Sequence, residues 1–204
     1  MAKKKGIILA AVVLLAFLAA VPFLVRGPDL SGYQHLKNPQ IRFMENQKVL
    51  VVEAAGAPEV VGGKAFGLLF RTYFKLKGAP KGPKQPAPRA RWPISPDTVK
   101  TAWRGLYAMP VPAGITTLPP YKALSGISVR LETWEYGDVA EILHVGPYDR
   151  EKPSIERLQA FIQSGGYEAI GDHEEEYLKG PGMFFRGNPE KYQTIIRYRV
   201  RKAQ

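Results

Sequence analysis

Glu175 and Tyr177 stand two residues apart in the run Glu174-Glu-Glu-Tyr-Leu178, inside a segment that predicts a β-strand. Positions i and i+2 of a strand share a face, so a carboxylate and a phenol would meet whatever lies against that face. Two kinds of chemistry follow. Glu175 could be the counter-ion of a cationic ligand, or the general base toward a water in a hydrolysis, with Tyr177 orienting the water or leaving group. The plainer alternative is that Glu174, Glu175 and Glu176 form a solvated acidic run.

Trp103, Tyr107 and Tyr148, with Trp134 and Tyr136 further out, could stack on a flat or cationic molecule. Aromatic side chains at strand spacing more often fill a core. His144 shares a predicted strand face with Ala140 and Ile142, where a histidine is commonly a hydrogen-bonded structural residue and less commonly a ligand contact. Glu175, Tyr177, Trp103, Tyr107, Tyr148 and His144 therefore make up the candidate ligand-binding set. Glu175 and Tyr177 are the pair that would act in an enzyme. The histidines number 3 and the cysteines 0, with no H-x-x-x-H spacing, so no metal site is expected. Neither a Gly-rich phosphate loop nor a G-x-S-x-G elbow is present, and nothing in the sequence asks for a cofactor.

The charge must be located before it is interpreted. The chain of 204 residues carries 29 Lys+Arg against 18 Asp+Glu, a net +11. Residues 1–27 hold +4 and residues 64–104 hold +9, while 28–63 and 105–204 each hold −1. A nucleic-acid-binding domain would be basic throughout its binding face, and this chain is not, so no nucleic-acid partner is expected. Lys75, Lys77, Lys81, Lys84, Arg89 and Arg91 lie in or beside a proline-rich stretch. They read as a solvated loop, or as a contact for anionic lipid headgroups near 64–104.

Gly6 to Val25 is an uncharged apolar run of twenty residues, long enough as a helix to cross a hydrocarbon core of roughly 30 Å. Lys3-Lys4-Lys5 before it outweighs Arg26 after it, which places the N-terminus in the cytoplasm and the remainder across the membrane. The expected organisation is a basic tip at 1–5, an anchor at 6–25, a tether at 26–40 and one domain at 41–204. A cleaved secretory signal is the alternative for the first segment.

Within the domain, Lys48–Glu53 predicts a buried strand, Glu59–Lys75 a helix, Gly78–Pro96 a loop or extended segment, and Thr98–Val111 a strand. Ile127–Leu131 and Val139–Val145 predict strands, about Lys152–Ser164 a helix, and Glu174–Leu178 and Gln193–Val200 two further strands. The fold class is α+β, with strand–helix–strand–strand occurring twice, about 41–115 and about 121–204. Two such units can pack about a pseudo-two-fold axis and leave a groove between them.

Certain residues in this order resemble a known family. His144-Val-Gly-Pro-Tyr148, then Gly165-Gly-Tyr167, Glu174-Glu-Glu-Tyr-Leu178 and Thr194-Ile-Ile-Arg-Tyr-Arg-Val200 are similar to the GyrI-like small-molecule-binding family, related to the effector-binding domains of multidrug-responsive transcription activators. Arg91-Trp92-Pro93, Asp97, Trp103-x-Gly105 and Met109-Pro-Val-Pro112 resemble the signature of one subgroup. The resemblance covers about Ile41 to Arg201. It implies two βαββ repeats around a ligand groove and Glu175 and Tyr177 as the E-x-Y pair. It also implies binding of small amphipathic or cationic molecules among aromatic rings. Some members of the family hydrolyse cyclopropane-bearing toxins, and the similarly folded SOUL group binds haem. No DNA-binding helix pair precedes the domain here, and an anchor would keep it from cytoplasmic gyrase. The expected function is membrane-anchored ligand binding, with hydrolysis and tetrapyrrole binding as alternatives. The sequence names no partner protein.

Overall fold

The computed structural model describes residues 29–93, 103–181 and 187–204, and the compact unit runs Ser31–Gln204. The anchor expected at 6–25 lies outside the described residues, as do residues 98–102 of the strand expected from Thr98. Among the described residues, no helix is long and apolar enough to cross a membrane.

Eight strands form one antiparallel sheet: β1 (Gln40–Met44), β2 (Gln47–Ala55), β3 (Arg89–Trp92), β4 (Arg104–Pro110), β5 (Ile127–Trp134), β6 (Gly137–Val145), β7 (Tyr167–Lys179) and β8 (Gln193–Lys202). Two helices, α1 (Pro58–Lys75) and α2 (Lys152–Ser164), pack on one face. Proline sits in the first turn of each, where its missing N–H leaves no helical bond unmade. α1 buries Ala65, Leu68, Leu69 and Tyr73 against Leu50, Val52 and Met109, while α2 buries Leu158 and Ile162 against Ile142, Ile196 and Val200.

The strand order is β1-β6-β8-β7-β3-β4-β2-β5. It reads as its own reverse when β1 to β4 are exchanged for β5 to β8. The two repeats expected from the sequence are not self-contained units of the sheet, however. β5, expected within the second repeat, pairs with β2 at the edge of the first, and β1 pairs with β6 of the second. Alternation shows which residues share a face, but it is silent about which strand lies alongside. Part of the expected tether is also structured. Ser31–Lys37 is a 3₁₀ helix whose Leu36 is buried with Leu143 and Ile195.

This order forces the sheet to curl. β1 and β2 are six places apart, as are β5 and β6, which in a flat sheet means roughly 29 Å. Yet only Glu45-Asn46 joins β1 to β2 and only Glu135-Tyr136 joins β5 to β6, a reach of about 11 Å each. Both connections can close only if the edges bend toward each other on the face opposite the helices. They meet there, where the Tyr136 backbone N–H donates to Asn46 Oδ1 at 3.0 Å.

In the proline-rich segment 78–96, expected as a loop or extended segment, Arg89–Trp92 between Pro88 and Pro93 takes the extended alternative and forms a central strand, paired to β4 on one side and β7 on the other. Its register sets Arg89 opposite Glu176 and Arg91 opposite Glu174. Glu174 in turn lies opposite Arg197 of β8, and Arg197 opposite Glu141 of β6. A row of alternating charge thus crosses four strands on the inner side of the curl. Arg197, only 1% exposed, bonds Glu141 through Nε at 2.6 Å, Glu176 at 2.9 Å and Glu174 through Nη1. Arg91 reaches Glu174 at 2.7 Å and Arg89 reaches Glu176 at 3.2 Å. Arg42 adds two bonds to Glu141, at 2.5 and 3.1 Å, so four guanidinium groups face three carboxylates. Burial alone would raise Glu174, but Arg197, Arg91 and Arg89 overcome it and hold the carboxyl below its ordinary value. The acidic run is not solvated, and two of the basic residues in 64–104 are spent on it.

Removing Arg197 would take from Glu141, Glu174 and Glu176 the buried guanidinium they share, leaving each with one partner, Arg42, Arg91 and Arg89. Arg197→Met is expected to lower stability by about 3–5 kcal/mol in urea unfolding. Arg201→Ala, which breaks the exposed pair with Glu168, should cost no more than about 1 kcal/mol.

Candidate functional site

Glu174 and Glu176 face inward, so Glu175 and Tyr177 face the helices. His173 extends the same i, i+2 series. Just before it a bulge interrupts the pairing of β7 with β8 between Ile170 and Glu174, with Gly171 at φ 86° in the left-handed region that glycine tolerates. The Glu175 carboxyl collects three donors. Trp92 Nε1 of β3 and His173 Nε2 lie 3.0 Å from its Oε1, and the Tyr177 hydroxyl donates to Oε2 at 2.6 Å. His173 Nδ1 lies 2.8 Å from the Tyr198 hydroxyl.

Aromatic rings continue outward from this carboxyl. Tyr177 meets Phe66 of α1 at 5.7 Å between centroids and Tyr148 at 5.5 Å; Tyr148 in turn meets Tyr192 at 5.4 Å. Trp92 lies against Trp103 at 5.6 Å and Tyr107 at 5.7 Å. Gly105 makes the last contact possible, because a Cβ there would sit 2.7 Å from the Tyr107 ring and 3.0 Å from Trp92. Burial first, and the nearby carboxyls second, push the Tyr177 phenol well above 10. It is therefore a hydrogen-bond donor at neutral pH and not a base.

The structure thus brings Glu175, Tyr177, Trp103 and Tyr148 into one connected cluster. Tyr107 and His144 stand apart from the expectation. Tyr107 is buried beneath Phe66 and Trp92 and offers no open ring face, so it belongs to the core. Its hydroxyl has no hydrogen-bond partner among the described residues, and burial followed by Glu175 raises it to about 12. His144 is buried with Nδ1 3.0 Å from Ser154 Oγ and Nε2 3.2 Å from the Pro147 carbonyl. It pins the turn from β6 into α2. Trp134 and Tyr136 lie on the opposite face, with the Arg91 guanidinium 4.0 Å from the Trp134 ring centre.

Three residues of the cluster were missed by sequence reasoning: Trp92, His173 and Glu151. Trp92 was hidden by the prolines around β3, although R-A-R-W alternates. His173 carries a signal in hindsight, since it continues the spacing of Glu175 and Tyr177. Glu151 had none; it precedes α2, and only the packing of that helix start against β7 brings it to Glu175. One carboxylate oxygen each of Glu151 and Glu175 and one ring nitrogen of His173 lie within 4.8 Å of one another. Glu151 is 5% exposed and its Oε1 has no hydrogen-bond partner among the described residues. Burial, then the Glu175 carboxylate, raises Glu151 to about 9, with the Thr194 hydroxyl pulling it back in part.

Two cavities, of about 60 and 240 Å³, lie on the ionic side of the sheet beside Arg197. Their guanidinium groups at Arg91 and Arg197 already hold carboxylates, and the aromatic rings around Glu175 are on the other face. Glu175 lines neither cavity.

No protein-family model and no curated protein matches the chain. Its fold is shared. A conserved protein from Listeria innocua superposes with a TM-score of 0.62 at 21% identity, covering 81% of this chain and 93% of that one. A hydrolase from Listeria innocua gives 0.57 at 17% identity, covering 91% and 98%. The C-terminal domain of EcmrR gives 0.57 at 13% identity, covering 81% and 98%. These likenesses establish the α+β fold.

The raised Glu151 carboxyl makes stability depend on pH. Folding lifts its value from 4.5 to about 9, so the folded state keeps a proton that the unfolded chain releases across that window. Stability therefore falls as pH rises between those values, by at most about 1.4 kcal/mol per pH unit from this group. Glu151→Gln is expected to match the parent near pH 5 and to melt several degrees higher at pH 8.5, in thermal unfolding with EDTA present.

Proposed function

We propose that this chain is a GyrI-like small-molecule-binding protein that holds an amphipathic cation against Glu175, at the seam between its two halves. One observation carries the reading. Glu175 and Glu151 approach each other on a face from which Arg89, Arg91 and Arg197 all turn away, and aromatic rings close around them. Buried carboxyls without a fixed cation create a demand for one, and ring faces favour an organic cation over a hydrated ion. Tyr148, 38% exposed, would be the ring on the solvent side of the bound molecule.

Tetraphenylphosphonium is a suitable probe, because Trp92 and Trp103 report on the site by fluorescence. Saturable quenching is expected, weakened at least about 10-fold by Glu175→Gln, which is about 1.4 kcal/mol. The neutral analogue triphenylphosphine oxide should bind more weakly than the cation. Equal affinity of the parent and Glu175→Gln would remove Glu175 from the site.

A second reading, hydrolysis of an electrophilic cyclopropane, draws support from the same pair of carboxyls. Glu151 is raised to about 9 beside Glu175, and a protonated acid facing a carboxylate is the arrangement that lets one group donate while the other accepts. Tyr177 would then orient the water or leaving group. In this case Glu175→Gln would still bind the electrophile and fail to consume it.

The proposal places the domain outside the cytoplasm, held by residues 6–25. The full-length protein should stay with membranes through a high-salt wash and be released only by detergent. Release by salt alone would overturn the anchor.

A further inference from the structure

We propose that Glu151, His173 and Glu175 form a divalent-metal site that takes Zn²⁺ or a similar borderline cation. The inference rests on the same carboxyls as the ligand reading but does not need it. One imidazole and two carboxylates are a donor set suited to zinc, with ligand distances of about 2.0–2.2 Å. Ligand atoms around such an ion lie about 3.4 Å apart. His173 Nε2 and Glu175 Oε1 are already 3.0 Å apart, and all three donors lie within 4.8 Å of one another. Small side-chain shifts would close the triangle.

Two further observations point the same way. Glu151 Oε1 is buried without a hydrogen-bond partner among the described residues, and the cluster that the Glu151 carboxyl joins holds a second carboxylate. A cation supplies what that oxygen lacks. The outer contacts are also those that support metal ligands. The Tyr198 hydroxyl, 2.8 Å from His173 Nδ1, can accept an Nδ1–H, so that the Nε2 lone pair is free for a metal once the Nε2 proton shared with Glu175 is displaced. Trp92 Nε1, on the same Glu175 oxygen as His173, and the Tyr177 hydroxyl, on the other oxygen, hold that carboxyl in place. The metal would occupy the place of the proton between His173 and Glu175. No other metal ligand is implied, so one or more positions would be left to water.

The test uses the full chain, stripped with EDTA and dialysed, titrated with Zn²⁺ by calorimetry and with Co²⁺ by visible absorption. One equivalent should bind with micromolar or tighter affinity, and Glu151→Gln and His173→Gln should each weaken it at least about 10-fold. His35→Gln should change nothing. A measurement on the unaltered protein covers the case in which those variants fail to fold. With 3 histidines in the chain, Co²⁺ should shift the imidazole resonances of His173 and leave those of His35 in place. Absence of saturable uptake, unchanged affinity in His173→Gln, or a Co²⁺ effect centred on His35 overturns the proposal. Tetraphenylphosphonium binding is measured in parallel on the stripped protein. If it persists while zinc fails, the metal site alone falls; if both fail, the ligand reading falls with it.

Discussion

The pairing of β3 with β7 is the constraint on which the rest of the structure depends. It joins the two halves of the sheet, and its register is written in charge, with Arg89 opposite Glu176 and Arg91 opposite Glu174. A slip of one residue would turn Glu175 toward the guanidinium groups and expel Glu174 and Glu176 to the helix side. The ionic row and the candidate site are therefore two faces of one decision. Because the arginines are satisfied inside the curl, Glu175 is left outside it with only neutral donors and the imidazole of His173 for company. A carboxyl without a guanidinium partner is the by-product of a seam that uses the guanidinium groups on its other face.

Much of this was legible along the chain. The apolar spacing of α1 and α2 and the alternation of β5 and β8 identify those elements through burial on one face, and the continuous apolar runs of β2 and β6 identify strands buried on both. Glu175 and Tyr177 could be paired by the same rule. What escaped was non-local. Four residues between prolines carry too little pattern to announce a central strand. The exchange of β1 and β5 between halves leaves no local trace, since each strand alternates in the same way wherever it pairs. Glu151 reached the site through the packing of a helix start, which no spacing records. His144 and Tyr107 were placed on their faces correctly, but a face does not reveal whether a side chain is occupied. His144 is held by Ser154 and Pro147, and Tyr107 is covered by Phe66 and Trp92.

The net +11 also changes meaning with the fold. Part of the excess in 64–104 is internal, where Arg89 and Arg91 neutralise glutamates that lie more than eighty residues later. Four of its lysines, Lys75, Lys77, Lys81 and Lys84, stay exposed around the end of α1 and the start of the proline-rich segment. Burial sorts one basic stretch into two populations, one that fixes the register of a seam and one that faces water.

The exchanged edge strands have a consequence for how the chain can be made. β1 has no partner until β6 exists, and β2 keeps an open edge until β5 arrives. A ribosome that has released the whole first half has therefore produced a sheet with unmet backbone groups along both of its sides. Those groups attract any other strand that is near, including the same strand of a neighbouring nascent chain. Synthesis order and structural order are at odds in this fold, and the interval between emergence of β2 and of β6 is when the chain most needs protection.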